Sequence, residues 1–190
     1  METSLFETAV AWAATPVARH QMGGGPQRPQ GSGAAGIVPY QAFATRNGWL
    51  VIGAGNDRLF AALCSVMGQP SLSDDSRFRH NGDRVVNQRE LLPIIEQFAL
   101  LHTSEELGAM LDDNNIPNAP VQTIPQVVEN AQTQALGLIQ PGPGSAVPTV
   151  GLPLRFDGGR PGYHVAAPAL GEHTSEILGS ASAAARSRNV

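Results

Sequence analysis

Apolar residues recur at helical spacing almost from the start of the chain: Leu5, Ala9, Trp12 and Ala13 fall on one face. Ser4-Leu5-Phe6-Glu7 has the spacing of a capping box, in which a hydroxyl and a carboxylate each satisfy a free backbone N–H. A helix is expected to about Gln21, because Gly23-Gly24-Gly25-Pro26 must stop it. Residues 23–38 then show no apolar period and are rich in Gly, Pro, Gln and Ser, which fits a linker or an active-site loop.

The pattern next turns β-like. Gln41–Thr45 and Trp49–Gly53 flank Arg46-Asn47-Gly48, a strong hairpin signal. Asn56 and Asp57 can cap a helix through Met67 that turns Leu59, Phe60, Leu63, Val66 and Met67 inward. Gly68 suits the position past its end and Pro70 forbids continuation. Ser71–Arg79 reads as a polar connection anchored by Phe78. Val85, Leu91, Leu92, Ile95 and Phe98 give the inner face of a helical region over roughly Gly82–Leu101, which Pro93 should kink or divide. Thr103-Ser104-Glu105-Glu106 is a second capping box, opening a helix to about Asp113 that Asn114-Asn115 ends. Pro117 and Pro120 hold Ile116–Gln122 extended, and Thr123 caps a short helix with Val127 and Val128.

After Gln140 the texture changes. Pro141–Ser145 is a loop, Val147–Val150 and Leu152–Phe156 read as short strands, and Asp157–Gly162 is a further loop. Leu170–Gly179 suggests a last helix, with a frayed tail from Ser180. The mixture predicts an α+β fold without internal repeats.

Composition narrows the function classes. The chain has 190 residues, 42% of them hydrophobic, enough for a modest core. Net charge is −4 and only 5% of residues are aromatic, so neither a basic track nor a stacking surface for nucleic acid is expected. No apolar run is long enough for a membrane span, and Glu2 after Met1 is unlike a basic signal-peptide start, so no membrane partner and a cytoplasmic location are expected. The single cysteine, Cys64, lies among Leu63, Val66 and Met67 and reads as a buried apolar residue.

Each candidate for chemistry has a plain structural explanation. Gly53-Ala54-Gly55-Asn56-Asp57-Arg58 resembles the start of a dinucleotide fingerprint, but Arg58 stands where the third glycine belongs and the preceding strand is antiparallel. A strand exit followed by a helix cap explains it better. The five histidines, His20, His80, His102, His164 and His173, are not at metal-ligand spacing, so no metal is expected. Asp74-Asp75 and Asp112-Asp113 read as solvated caps, and Arg84 and Arg89 beside Glu90 as helix-face charges. Gly23, Gly24 and Gly25 are the candidate substrate-binding residues: such a run suits a backbone that approaches a ligand or moves as a flap, and a flexible linker suits it too.

Beyond these residues, ordered motifs carry a resemblance. Val38-Pro39-Tyr40-Gln41-Ala42-Phe43-Ala44-Thr45, Asn47-Gly48 and Ile52-Gly53-Ala54-Gly55-Asn56-Asp57 come first. Phe78, Asn81 and Arg84-Val85-Val86-Asn87-Gln88-Arg89 follow, then Ile116-Pro117-Asn118-Ala119-Pro120-Val121. Val150-Gly151-Leu152-Pro153-Leu154 and Ala167-Pro168-Ala169-Leu170-Gly171-Glu172-His173-Thr174 complete the series. In that order they resemble family III CoA-transferases, the group of carnitine, bile-acid and formyl-CoA transferases. Thr3-Ser4-Leu5-Phe6-Glu7 is similar to the family's helix after its central strands.

The resemblance implies CoA transfer between carboxylic acids, with CoA as substrate and no other cofactor. A nucleophilic Asp in an N-terminal Rossmann-like half would form the covalent intermediate. No Asp here matches it, so no catalytic residue is assigned. Gly23–Gly25 stand where some members carry a glycine-rich flap, but Arg28-Pro29-Gln30-Gly31-Ser32-Gly33-Ala34 lacks the Asn and His of the family's run. The implied architecture is a helix and glycine-rich linker of the large domain over 1–36, a small α+β domain over 37–135, and a return segment over 136–190. Intact relatives interlock as homodimers. Met1 is expected to be an internal start of a longer frame or the edge of a split gene, and Leu5, Phe6 and Trp12 should then be exposed. A non-catalytic module pairing with a separate Rossmann-like half, and a racemase-branch relative, remain open.

Overall fold

A hairpin organises the first half of the chain. The computed structural model describes residues 2–25, 29–144 and 147–179. β1 (Tyr40–Ala44) pairs antiparallel with β2 (Trp49–Gly53), with Phe43 opposite Leu50. β3 (Asn118–Pro120) adds to the free edge of β2, setting Ala119 opposite Val51 and giving the order β1-β2-β3. Leu50 and Ile52 are buried on one face while Val51 between them is only half-buried, the two-residue alternation of a strand covered on one side.

The turn is a four-residue loop, Thr45–Gly48, and neither Asn47 nor Gly48 adopts a left-handed φ. Its side chains are committed elsewhere. Asn47 Oδ1 accepts the Ser104 N–H at 2.8 Å, Thr45 Oγ1 lies 2.8 Å from Ser104 Oγ, and the Arg46 N–H donates to His102 O at 2.8 Å. The loop thus docks the start of α6 (Ser104–Asp113) and supplies a partner to one of its free N–H groups.

α3 (Asp57–Val66) begins at Asn56, whose side chain accepts the Leu59 N–H, and buries Leu59, Phe60, Leu63 and Cys64. It ends in a Schellman arrangement: Gln69 N–H to Cys64 O at 2.9 Å, Gly68 N–H to Ser65 O at 3.0 Å, Gly68 at φ 69°. The connection that follows holds a short 3-10 turn, Pro70–Ser73, which the sequence does not announce, and the fully buried Phe78. The helical region after it divides at Asn87 and not at Pro93. α4 (Asn81–Val86) stops there because the Asn87 amide donates to Asp83 O and Arg77 O, while α5 (Gln88–Leu100) carries Pro93 in its interior. Pro93 lies on the exposed face, where water can serve the carbonyl that its missing N–H leaves free. α6 has the expected capping box, with Glu106 N–H to Thr103 Oγ1 at 3.1 Å and Thr103 N–H to Glu106 Oε2 at 2.9 Å. Sheet and helices enclose one core: Phe43, Leu50, Ile52, Phe60, Leu63, Phe78, Leu91, Ile95, Leu107, Leu111 and Ile116.

At the N-terminal side, α1 (Leu5–Trp12) and α2 (Ala14–Gln21) replace the single expected helix, separated at Ala13, and bury no residue. Leu5 is 91% exposed, Phe6 78% and Trp12 86%, as the sequence leads one to expect.

The chain divides into two compact units, Met1–Val121 and Gln122–Val190. In the second, α7 (Ile124–Glu129) starts at the Thr123 cap and α8 (Ala131–Ala135) follows without a signal in the pattern. Two short strands, β4 (Ile139–Gln140) and β5 (Thr149–Val150), pair antiparallel. The strand expected at Leu152–Phe156 does not form: only Phe156 makes a bridge, to Gly159 across a tight turn. Pro153 lacks a donor and Leu152, Leu154 and Phe156 stay exposed, so no buried face rewards pairing. The last helical stretch runs 174–179, shorter than expected because Gly171 adopts φ 80°. The expectations for Met1, for Arg28 and for the tail from Ser180 lie outside the described residues.

Candidate functional site

Where β2 ends and α3 begins, the first unit opens a cleft of about 560 Å³ lined by Ile37, Tyr40, Gly53, Gly55, Asn56, Asp57, Leu59 and Asn81. Its two glycines meet close neighbours, Gly55 the closer. A Cβ on Gly53 would lie 3.0 Å from the Tyr40 ring, and one on Gly55 only 2.1 Å from Ile37 Cγ2. The Gly-x-Gly spacing therefore lets Tyr40 and Ile37 close on the strand exit, and the Asn56 cap accounts for the rest of the motif.

Behind the cleft stands Arg84, which the sequence reading took for a helix-face charge. It is fully buried. A guanidinium without water needs acceptors, and each nitrogen of this one has at least one. Nε donates to Val38 O at 2.8 Å, Nη2 to Gly55 O at 2.7 Å, and Nη1 to Phe78 O at 3.0 Å and Arg79 O at 3.2 Å. Asp57 Oδ1 lies 3.0 Å from Nη1, and the guanidinium carbon sits 4.5 Å from the centre of the Phe60 ring. The charge is matched by one carboxylate, and the planar fork gathers three separate stretches of backbone.

Asp57 belongs to the rim. Its other oxygen lies 3.0 Å from His80 Nδ1, and the hydrogen bond with His80, aided by Arg84, holds its carboxyl below the ordinary value of 3.8. Asn81 is also engaged: Nδ2 donates to Gly36 O at 2.9 Å and Oδ1 accepts the Val38 N–H at 3.1 Å. Asp57 thus pairs with Arg84 and His80, Asn81 serves the loop backbone and Asn56 caps α3, so these polar side chains are already engaged. This arrangement builds a shaped recess. It does not arm a nucleophile beside a general base.

Among the described residues no group of three or more His, Cys, Asp and Glu side chains could hold a metal. Asp75 pairs with Arg77, which also reaches Glu90. Cys64 is buried, and burial pushes its thiol up to about 11. Gly23 and Gly24 end α2 in a Schellman arrangement, Gly24 N–H to Arg19 O at 2.9 Å and Gly23 N–H to His20 O at 3.0 Å, with Gly23 at φ 84°. They and Gly25 are not among the residues that line the cleft. Sequence reasoning missed Arg84 and Asn81 as site-building residues. The available signal was the set Phe78, Asn81 and Arg84, a buried anchor and two donors spaced by three, directly before an apolar helix.

Known proteins place this fold. The family model described as CoA-transferase family III matches residues 1–174. Succinyl-CoA:glutarate CoA-transferase of Mus musculus is 32% identical over 182 residues, 94% of this chain and 42% of the relative. The succinate–glutarate CoA-transferase of Agrobacterium fabrum is 28% identical, covering 94% of this chain and 45% of its own length. Among solved structures, a CAIB/BAIF family protein from Brucella suis superposes with a TM-score of 0.70 at 28% identity, over 88% of this chain and 44% of that one. A hypothetical protein of Mycobacterium tuberculosis shares the fold with a TM-score of 0.74 at 24% identity, over 92% of this chain and 45% of that one. The chain spans less than half the length of these relatives. Among the described residues no helix is long and apolar enough to cross a membrane. With a family match that runs from the exposed first helix to the start of the last one, this chain belongs to CoA-transferase family III.

Proposed function

We propose that the chain is the C-terminal part of a CoA-transferase that moves CoA between carboxylic acids, with the nucleophilic carboxylate supplied by a Rossmann-like half outside it. The observation that carries this reading is the family match over residues 1–174, in a chain that covers 42% of a curated relative. The relatives' names point to short dicarboxylates, with succinyl-CoA as donor and glutarate or D-citramalate as acceptor.

In the proposed reaction an Asp carboxylate attacks the thioester carbonyl and expels CoA thiolate, leaving a mixed anhydride. The thiolate attacks the Asp carbon of that anhydride, releases the donor acid and forms an enzyme–CoA thioester. The acceptor carboxylate then attacks this thioester, and the returning thiolate takes the acceptor acyl group and restores the Asp. This is covalent catalysis by a carboxylate. In it the present chain contributes the small α+β domain over 37–135, a return segment over 136–190, and Gly23–Gly25 as a flap over the reacting groups. The complete enzyme is a homodimer in the cytoplasm.

The test is transfer itself. The chain alone, given succinyl-CoA and glutarate, should form no glutaryl-CoA above the uncatalysed level. Turnover on the order of 1 s⁻¹ or more by the isolated chain would overturn the proposal. A second reading, a non-catalytic module that pairs with a separate Rossmann-like half, is favoured by the exposed Leu5, Phe6 and Trp12. Stoichiometric co-purification with a second polypeptide would select it. The racemase branch of the same fold predicts α-proton exchange of an acyl-CoA in deuterated water instead of CoA transfer.

A further inference from the structure

Two side chains of one short helix hold a distant loop by its backbone. The Asn81 amide spans two peptide groups of the same loop, donating to Gly36 O and accepting the Val38 N–H. One turn further along α4, Arg84 Nε takes Val38 O, and the same guanidinium reaches Gly55 O at the strand exit. Both polar groups of the Val38 peptide are therefore bound by α4, from more than forty residues away.

The loop is also tied to β1. The Ala42 N–H donates to Ser32 Oγ at 3.1 Å and the Ala34 N–H to Tyr40 O at 2.9 Å. Ile37 lies against Gly55, and Tyr40 against Gly53, close enough that neither glycine could carry a Cβ without displacement. Ile37 is nevertheless partly exposed, so burial of its side chain contributes little to holding the loop. Val38, 6% exposed and part of the core, anchors the end of the loop, and the hydrogen bonds from α4 and β1 fix the backbone before it.

We infer that Asn81 and Arg84 are positioning residues, a clamp that fixes the loop over 29–38 against the Gly53–Gly55 strand exit and so sets the shape of the cleft. The loop follows the glycine run Gly23–Gly25, and any consequence for CoA transfer rests on the function proposed above. The clamp itself does not, and its test uses neither substrate nor activity.

The measurement is amide hydrogen exchange by NMR on the 190-residue chain, for the parent, Asn81→Ala and Asn81→Asp. Asn81→Ala removes both bonds, so the Val38 amide should exchange roughly five- to tenfold faster, while Leu50 and Ile95 amides in the core keep their protection. The Gly53 Hα resonance, which senses the Tyr40 ring beside it, should move in the same variant. Asn81→Asp keeps the acceptor and loses the donor. It should restore protection at Val38 and leave the Gly36 end loose, a split that loss of general packing would not give. Unchanged exchange at Val38 in Asn81→Ala overturns the inference. Uniform acceleration of all core amides overturns it as well, because Asn81 would then support the whole unit and not the loop.

Discussion

At the scale of single residues, Arg84 decides most. Its burial leaves four backbone carbonyls dependent on one side chain, which Asp57 also meets. Arg84→Met should destabilise the first unit by about 3 kcal/mol or more, because the carbonyls of Val38, Gly55, Phe78 and Arg79 lose their donor and each one that stays dry costs about 1–3 kcal/mol. Arg84→Lys should recover little, since a single ammonium cannot occupy the fork geometry. Urea midpoints of both variants check this, and an Arg84→Lys midpoint equal to that of the parent would refute it. Asp57 contributes through pH. Its folded pKa is depressed, so its stabilisation is complete above the unfolded value of 3.8 and is lost as pH falls through the lower folded value. Asp57→Asn should flatten that acid limb in a series of urea midpoints against pH. Cys64 has the opposite sign: a thiol raised to about 11 makes the folded state lose stability as pH rises from about 9, and in native protein near neutrality it should resist alkylation until urea unfolds the chain.

At the scale of elements, what could be read depended on whether a residue acts through its neighbours in sequence. The capping box at Thr103, the Thr123 cap and the Gly68 stop are local devices and were legible. So was the hairpin, although its turn was not. Asn47 accepts from Ser104 across 57 positions, and no local pattern encodes a turn residue recruited by a distant helix. Arg84 was misread for the same reason: its partners Val38, Gly55 and Asp57 lie far upstream, and a charge counted among helix neighbours looks solvated. Pro93 was given the break that belongs to Asn87, because exposure of the proline could not be known before its helix had a buried side. The Gly-x-Gly element can be tested directly. Gly55→Ala should cost about 1–3 kcal/mol by pressing on Ile37, and most of that should return in the double variant with Ile37→Ala. Additive effects in the double-mutant cycle would show that the two residues do not meet.

For the whole molecule, the family was legible in ordered motifs, whereas composition and periodicity led only to an α+β fold. The chain covers 42% of the mouse relative and 45% of the Agrobacterium one, and its Leu5, Phe6 and Trp12 side chains lie in solvent. Substituting these three by Gln should lower binding of a hydrophobic dye and reduce self-association in sedimentation, with little change in the urea midpoint, because none of them belongs to the core. The central claim is the proposal that a carboxylate outside the chain performs the covalent step of CoA transfer. Intact-mass spectrometry after rapid quenching of the chain with succinyl-CoA addresses it most directly. The account predicts an unmodified mass at every time point. A gain of one CoA less water, mapped by peptide sequencing to an Asp or Glu of this chain, would contradict it.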